Sequence, residues 1–216
     1  MRRFDAVLFD CDGVLVDSEP VTFEMLAEDF SRHGLSMTVA DIAREFFGGT
    51  MRDLWLRARA MGARLPDDWV ETFYERLYAR LAQGTALVPG VARLLDLLDS
   101  AGIPYAVGSN GSERKMQVTL GQHPQVLARL QGRLFSGQTL GKPKPAPDLY
   151  LHAAAALGHP PERCVVVEDS PTGARAARAA GMACLGFAAH DDGARLAAEG
   201  ARVFHAMADL PALLGL

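Results

Sequence analysis

The chain has 216 residues, of which 22 are Lys or Arg and 26 are Asp or Glu, so its formal net charge is −4 at pH 7. The two signs are mixed along the chain, which disfavours nucleic acid or an anionic membrane as its main partner. No stretch approaches the ~18 apolar residues that a membrane span needs. Asp5, Asp10 and Asp12 interrupt the first apolar run, so we predict no signal peptide and expect a cytoplasmic protein.

Short runs rich in branched and aromatic residues recur along the chain and predict β-strands. Most of these runs are followed by a helical pattern of apolar residues, which is typical of parallel strands connected by helices. We therefore predict an α/β fold with a Rossmann-like, three-layer core around a parallel sheet. The predicted strands span residues 4–9, 104–109, 133–136, 164–168, 182–187 and 202–204.

A long segment between the first two predicted strands has almost no strand pattern and a strong helical period. Apolar side chains such as Phe23 and Leu26 recur in it at helical spacing. The length of the chain fits one core with a substantial insertion. We predict an α/β core of residues 1–17 and 87–216 and an inserted α-helical domain of residues 18–86.

Two carboxylates follow the first predicted strand. Asp10 and Asp12 are two positions apart at its carboxyl end, so alternation points both side chains to the same side. Ligands of open α/β sheets bind at the carboxyl ends of the strands. Paired acids are also common in solvated turns and helix caps, so this pattern alone leaves a structural and a functional interpretation open.

The second predicted strand ends in a polar turn that contains glycine. Ser109, Asn110 and Gly111 offer a hydroxyl, an amide and backbone N–H groups just before a helix that opens near Ser112. Such groups at a helix N-terminus are suited to bind an oxyanion. Capping of the helix by Ser112 explains the same residues without a ligand.

A lysine and a second pair of acids occur further along the chain. Lys144 lies on a proline-rich segment that restricts its position, whereas Lys142 is expected to be a solvated neighbour. Glu168 and Asp169 end an uninterrupted apolar strand. Helix capping explains Asp169 by itself. Two acidic pairs at neighbouring strand ends, however, would repel each other by several kcal/mol without a cation between them.

Taken together, these four segments resemble, in order and position, the four motifs of the haloacid dehalogenase superfamily. The helical insertion is similar to the α-helical cap of that superfamily. The matching motifs are Phe9-Asp10-Cys11-Asp12-Gly13-Val14, Ser109-Asn110, Lys144-Pro145 and Glu168-Asp169. Within the superfamily, Asp12–Glu19 and Glu168–Gly173 resemble the β-phosphoglucomutase-like branch. Ser109–Gln117 is similar to bacterial phosphatases that act on 6-phosphogluconate.

The resemblance implies a phosphatase that forms an aspartyl phosphate on Asp10. Asp12 would protonate the departing alcohol and then deprotonate the attacking water, which requires it to be protonated part of the time near neutral pH. Positive charge is needed to admit a phosphate dianion to these acids. The implied phosphate ligands are Lys144, Ser109 and the backbone amides of Asn110 and Gly111.

The resemblance also implies a magnesium ion, and Mg²⁺ prefers the oxygen ligands that this site offers. The expected ligands are Asp10, the backbone carbonyl of Asp12, Asp169 and, directly or through water, Glu168.

Substrate specificity is expected to lie in the cap. Gly49 belongs to a glycine pair that allows close approach of the backbone, and Arg52 has the reach to bind a carboxylate, hydroxyl or phosphate. A turn between two helices with a solvated arginine explains the same residues.

Four rival interpretations follow from the same motifs. The mutase pattern has a histidine where this chain has Thr22, so hydrolysis is favoured over a β-phosphoglucomutase activity. True haloacid dehalogenases lack the acid that Asp12 supplies. Phosphonoacetaldehyde hydrolases need a cap lysine, and residues 18–84 contain none. A receiver-like signalling module phosphorylated on Asp10 would be about half as long and would lack the cap.

We therefore expect a phosphatase whose partner is a small-molecule phosphate monoester, with 6-phosphogluconate as the first candidate. A monomer or weak homo-oligomer is expected.

Overall fold

A computed structural model describes residues 4–216, so residues 1–3 of the predicted core segment lie outside the described residues. Within 4–216, six strands form one sheet: β1 Ala6–Phe9, β2 Tyr105–Ser109, β3 Leu134–Ser136, β4 Cys164–Glu168, β5 Ala183–Phe187 and β6 Arg202–Phe204. The strand order is β3-β2-β1-β4-β5-β6, and every neighbouring pair is parallel. The predicted α/β fold with a parallel sheet is confirmed.

Helices surround this sheet and also fill the long connection between β1 and β2. That connection holds α1 Glu19–Arg32, α2 Val39–Phe46, α3 Met51–Ala60 and α4 Trp69–Leu81. The remaining helices are α5 Val91–Ser100, α6 Glu113–Leu120, α7 Pro124–Arg129, α8 Gly137–Leu140, α9 Asp148–Ala156, α10 Pro171–Ala179, α11 Ala194–Ala198 and α12 Leu210–Leu214. Among the helices of residues 4–216, none has both the length and the apolar character to cross a membrane.

The sheet is buried on both faces because helices pack on each side of it. In β4, Val165 and Val167 belong to the core cluster on one face, together with Leu94 of α5. Val166 points the other way and packs in a second cluster with Ala153 of α9. A strand buried on both faces needs a continuous apolar run, which is what β4 has up to its last residue.

The helices between β1 and β2 have an apolar cluster of their own. Trp69 is 1% exposed, stacks on Phe73 at 4.7 Å between ring centroids and lies 6.0 Å from the ring of Phe30. Asp29 is buried at the edge of this cluster and accepts hydrogen bonds from Trp69 Nε1 at 2.9 Å and from Arg76 Nη1 at 2.8 Å. A buried charge with several donors ties α1 to α4.

We expect Asp29→Asn to lower the free energy of unfolding by about 2 kcal/mol, because charged hydrogen bonds are lost. Although burial opposes ionisation, hydrogen bonds from Arg76 and Trp69 hold the pKa of Asp29 below its usual value. The stabilisation is therefore complete above the unfolded-state pKa of about 3.9 and is lost as pH falls through the lower folded-state pKa. Urea unfolding of the wild type and of Asp29→Asn at neutral and acidic pH measures the difference between their free energies of unfolding, which should become smaller as the pH falls.

The matched control is Glu28→Gln on the same helix. Glu28 also pairs with an arginine, at 3.1 Å from Arg32, but both side chains are exposed. Its removal should change the free energy of unfolding by less than about 0.5 kcal/mol. Equal losses for the two variants would contradict a stabilising role for the buried charge.

Candidate active site

Three strand ends meet where the sequence predicts the site. β1 lies between β2 and β4, with Phe9 in register with Val107 on one side and Val167 on the other. The backbone N–H of Asp10 donates to the carbonyl oxygen of Val167 at 2.9 Å, so Asp10 begins its loop beside the end of β4. This edge of a parallel sheet is where α/β proteins bind ligands.

Lys144 lies at the centre of this edge. Its Nζ is 2.5 Å from Oδ1 of Asp10 and 2.6 Å from Oε1 of Glu168, and its side chain is 3% exposed. The side chain of Asn110 fixes the backbone of Lys144: Oδ1 accepts from the Lys144 N–H at 2.7 Å, and Nδ2 donates to its carbonyl at 3.1 Å. Asn110 thereby anchors Lys144, a contact that sequence spacing did not indicate.

Glu168 is fully buried and surrounded by donors. Besides Lys144, Oε1 accepts from the hydroxyl of Tyr150 at 2.8 Å. Oε2 accepts from the Ser170 hydroxyl at 2.9 Å and from the backbone N–H groups of the next two residues. Gly173 makes room for this carboxylate, since a Cβ there would lie 1.6 Å from Oε1. Tyr150 was missed because it lies in an apolar run of α9 that is typical of a core residue.

The turn after β2 is held by hydrogen bonds that involve its own predicted ligand groups. The backbone N–H of Gly111 donates to Oγ of Ser109 at 2.9 Å. The carbonyl of Gly111 accepts from the hydroxyl of Ser136 at 2.7 Å. The turn is therefore fixed by one hydrogen bond within it and one from the end of β3, and the Gly111 amide, predicted as a phosphate donor, already has a partner.

Three carboxyl groups form a compact oxygen cluster. Asp10, Glu168 and Asp169 each offer one oxygen, and these atoms all lie within 4.8 Å of one another. Gly13, at φ +75°, lets the loop approach Asp169, because a Cβ there would lie 1.8 Å from Oδ2. Among the described residues that line the adjoining cavity, four carboxyl groups accompany two lysines.

The environment of these acids fits a divalent cation. Burial raises the pKa of Asp10 to about 7, helped by the charges of Glu168 and Asp12 and opposed by Lys144. Burial and the charges of Glu19, Asp10 and Glu168 raise the pKa of Asp169 well above its usual value. Buried carboxylates in such excess are stabilised by a cation, and an all-oxygen donor set suits Mg²⁺.

Asp12 has different partners from Asp10. Its Oδ1 accepts from Oγ of Ser18 at 2.5 Å and lies 2.8 Å from Nζ of Lys115. Burial opposes its ionisation, but the charge of Lys115 and hydrogen bonds from Lys115 and Ser18 hold the pKa of Asp12 below its usual value. Asp12 therefore rests as an anion here, whereas an acid catalyst must carry a proton.

A cavity of about 120 Å³ adjoins these residues and is lined on one side by the helices between β1 and β2. The predicted residues that line it are Asp10, Asp12, Gly49, Ser109, Asn110, Gly111, Lys144 and Asp169. Glu168 lies behind Lys144 rather than on the wall. The structure also places Arg52 off the wall, where its guanidinium lies 4.7 Å from the ring centre of Trp55. In α3, Met51 and Leu54 are three positions apart and therefore share a helix face, which lines the cavity. Arg52 lies outside this face and turns away from the cavity.

Two further polar residues of the wall were not singled out from the sequence. Glu19, the first residue of α1, makes no side-chain hydrogen bond among the described residues, and burial followed by the charge of Asp12 raises its pKa to about 8. Lys115 lies in the first turn of α6. A charged residue at a helix start is usually solvated, so its burial was visible only once α6 was placed.

The fold and the four motif positions define a hydrolase family. Residues 4–181 match the family model of haloacid dehalogenase-like hydrolases, which is more than half of the chain. The chain belongs to this family.

Particular relatives match over almost the whole length. The chain is 31% identical over 215 residues to 6-phosphogluconate phosphatase of Escherichia coli, covering 99% of this chain and 96% of that protein. It is 34% identical over 195 residues to hexitol phosphatase A of the same organism, covering 90% and 88%. A family hydrolase of Deinococcus radiodurans, solved with bound phosphate and sodium, superposes with a TM-score of 0.80 at 35% identity, covering 100% and 96%.

We expect Gly173→Ala to lower the free energy of unfolding by about 3 kcal/mol, because the new methyl group overlaps the Glu168 carboxylate. Gly84→Ala is the control, since no atom lies within 4 Å of a Cβ at Gly84. The control should change by less than about 0.5 kcal/mol in urea unfolding. A Gly173→Ala protein as stable as the control would contradict the packing of α10 against Glu168.

Proposed function

We propose that this protein is a Mg²⁺-dependent phosphatase that hydrolyses a small sugar phosphate through an aspartyl phosphate on Asp10, with 6-phosphogluconate as the first candidate. The observation that carries the proposal is the convergence of Asp10, Asp12, Lys144 and Asp169 on one small cavity. The relatives named above, which act on phosphorylated sugar acids and polyols by their names, support the same substrate class.

Asp10 is the nucleophile. Lys144 holds Oδ1 at 2.5 Å, which leaves Oδ2 to attack phosphorus in line as the ester P–O bond breaks. A phosphate charge about 4 Å from this carboxylate costs about 4 kcal/mol per pair of unit charges at an effective dielectric constant of about 20. Lys144 offsets part of this repulsion. Glu168 keeps Lys144 in place.

Magnesium fits beside these residues. Asp10, Asp169 and the backbone carbonyl of Asp12 would hold it, with Glu168 at the same oxygen cluster. When bound, Mg²⁺ supplies positive charge that draws electron density from the transferring phosphoryl group. The protein contributes the fixed, buried oxygen atoms.

Asp12 is the general acid and base. It donates a proton to the departing alcohol oxygen and later removes one from the water that attacks the aspartyl phosphate. The free site holds Asp12 as an anion. A phosphate dianion that arrives beside Asp12 brings like charge, which raises the pKa of a carboxyl group, so substrate binding favours the protonated acid.

The cavity wall suits a short chain of hydroxyl groups. Glu19 and Thr22 lie among the polar residues that line the cavity, and Phe23, Met51 and Leu54 line an apolar part of it. A carboxyl group without a protein partner is free to form hydrogen bonds with sugar hydroxyls. The small size of the cavity suits a small metabolite.

A β-phosphoglucomutase activity is the alternative. Thr22 stands at the position where the mutase pattern has a histidine, and its hydroxyl donates to the carbonyl of Ser18 at 2.8 Å. A threonine committed to the backbone supplies no imidazole base, which favours hydrolysis. Conversion of β-glucose 1-phosphate to glucose 6-phosphate without phosphate release would favour the mutase instead.

We expect phosphate release from 6-phosphogluconate or a hexitol phosphate that falls to background in Asp10→Asn, because the amide cannot form the acyl phosphate. A malachite-green assay over a panel of sugar phosphates measures it. Asp148→Asn is the control, since Asp148 is bound to the exposed Lys142 at the surface. Equal rates for Asp10→Asn and wild type would refute the mechanism.

We expect EDTA to abolish phosphate release and Mg²⁺ to restore it. Asp169→Asn should require at least about tenfold more Mg²⁺, because one anionic ligand is lost. Calorimetric titration of Mg²⁺ into both proteins provides a readout that is independent of activity. Unchanged Mg²⁺ affinity in the variant would place the metal elsewhere.

A further inference from the structure

A largely buried lysine of the site has no part in the mechanism above. Lys115 lies in the first turn of α6, and its side chain is 12% exposed. Its Nζ is 2.8 Å from Oδ1 of Asp12. A buried ammonium group is stable only with a close partner, and Asp12 is the carboxylate at salt-bridge distance among the described residues.

The ion pair controls the orientation of Asp12. Oδ1 takes both the Lys115 ammonium and the Ser18 hydroxyl. Oδ2 lies on the side of Gly111, 3.4 Å from where a Cβ of that residue would be. Two donors on one oxygen fix the plane of a carboxylate and leave the other oxygen free. The free oxygen is then the one that exchanges a proton with the substrate.

The helix that carries Lys115 is tied to the helical insertion. Oγ of Ser112 caps α6 by accepting from the Lys115 N–H at 3.1 Å, and the same oxygen is 2.6 Å from the hydroxyl of Tyr78 in α4. Arg114 forms a two-bond ion pair with Glu75 of α4. The first turn of α6 is therefore held by the insertion on one side while it holds Asp12 on the other.

We propose that Lys115 is a positioning residue that orients Asp12 for proton transfer to the leaving alcohol. The inference rests on the proposed function, since it assigns a partner to the acid of that mechanism. The two lysines therefore have different roles. Lys144 contacts the nucleophile Asp10 and binds the phosphate, whereas Lys115 contacts Asp12 and acts on the leaving oxygen only through it.

The experiment compares two esters. An alkyl phosphate releases a poor leaving group that needs a proton, whereas p-nitrophenyl phosphate releases a stable phenolate that does not. The ratio kcat/KM reports only the steps up to departure of the first product, so later hydrolysis of the aspartyl phosphate does not enter.

We expect Lys115→Met to lower kcat/KM for the alkyl ester on the order of 10²-fold and for p-nitrophenyl phosphate by less than about threefold. Lys115→Arg keeps a cationic donor and should retain at least about tenfold more alkyl-ester activity than Lys115→Met. Lys142→Met, the control at an exposed lysine, should match wild type on both esters.

A double-mutant cycle tests whether Lys115 acts through Asp12. In an Asp12→Asn background, adding Lys115→Met should cost less than about threefold on the alkyl ester, because the group it orients is already gone. If the two substitutions instead lowered kcat/KM independently, so that their effects multiplied in the double variant, this result would overturn the inference. So would equal losses on both esters, which would make Lys115 a phosphate-binding or purely structural cation. A wild-type enzyme without Asp10-dependent phosphate release would instead refute the proposed function, and the inference with it.

Discussion

The buried contact of Lys144 with Asp10 and Glu168 is the constraint on which the rest of the site depends. Removing a lysine and two carboxylates from water costs several kcal/mol per ion unless each group is fully paired. The surrounding structure supplies those partners: Asn110 fixes the Lys144 backbone, and Tyr150 donates to Glu168. These bonds hold Oδ1 of Asp10 against Lys144 at the wall of the cavity.

The sequence predicted the fold and the four motif positions because both depend on local patterns. A buried parallel strand such as β4 needs a continuous apolar run, and the residue that ends it must lie at the ligand-binding edge. Asp10, Ser109 and Asp169 were found in this way. The contacts of Tyr150 and Lys115 were not found, because they depend on how α9 and α6 pack, and packing leaves no periodic pattern.

The outward position of Arg52 was not predicted, because it also depends on packing. A glycine pair before a helix indicates a loop that can approach a ligand, and Gly49 does line the cavity. Which side chains of the following helix face the ligand depends on its rotation, which is set by the burial of Leu54 and Trp55. Arg52 does not line the cavity and covers the Trp55 ring instead. Loop position was therefore predictable, while side-chain direction was not.

The two acids of the first motif show how one loop separates two chemical roles. Asp10 and Asp12 are two residues apart and both largely enclosed. Burial prevails in raising the pKa of Asp10, whereas at Asp12 the charge and hydrogen bond of Lys115 and the hydrogen bond of Ser18 together outweigh burial and lower the pKa. Ser18 begins the insertion, and Lys115 lies on a helix that α4 holds through Tyr78 and Glu75. Both partners of Asp12 therefore depend on the placement of the insertion, whereas Lys144 and Glu168 depend on the sheet. The orientation of the acid therefore depends directly on α1 and α4, whereas the position of the nucleophile depends on the strand ends.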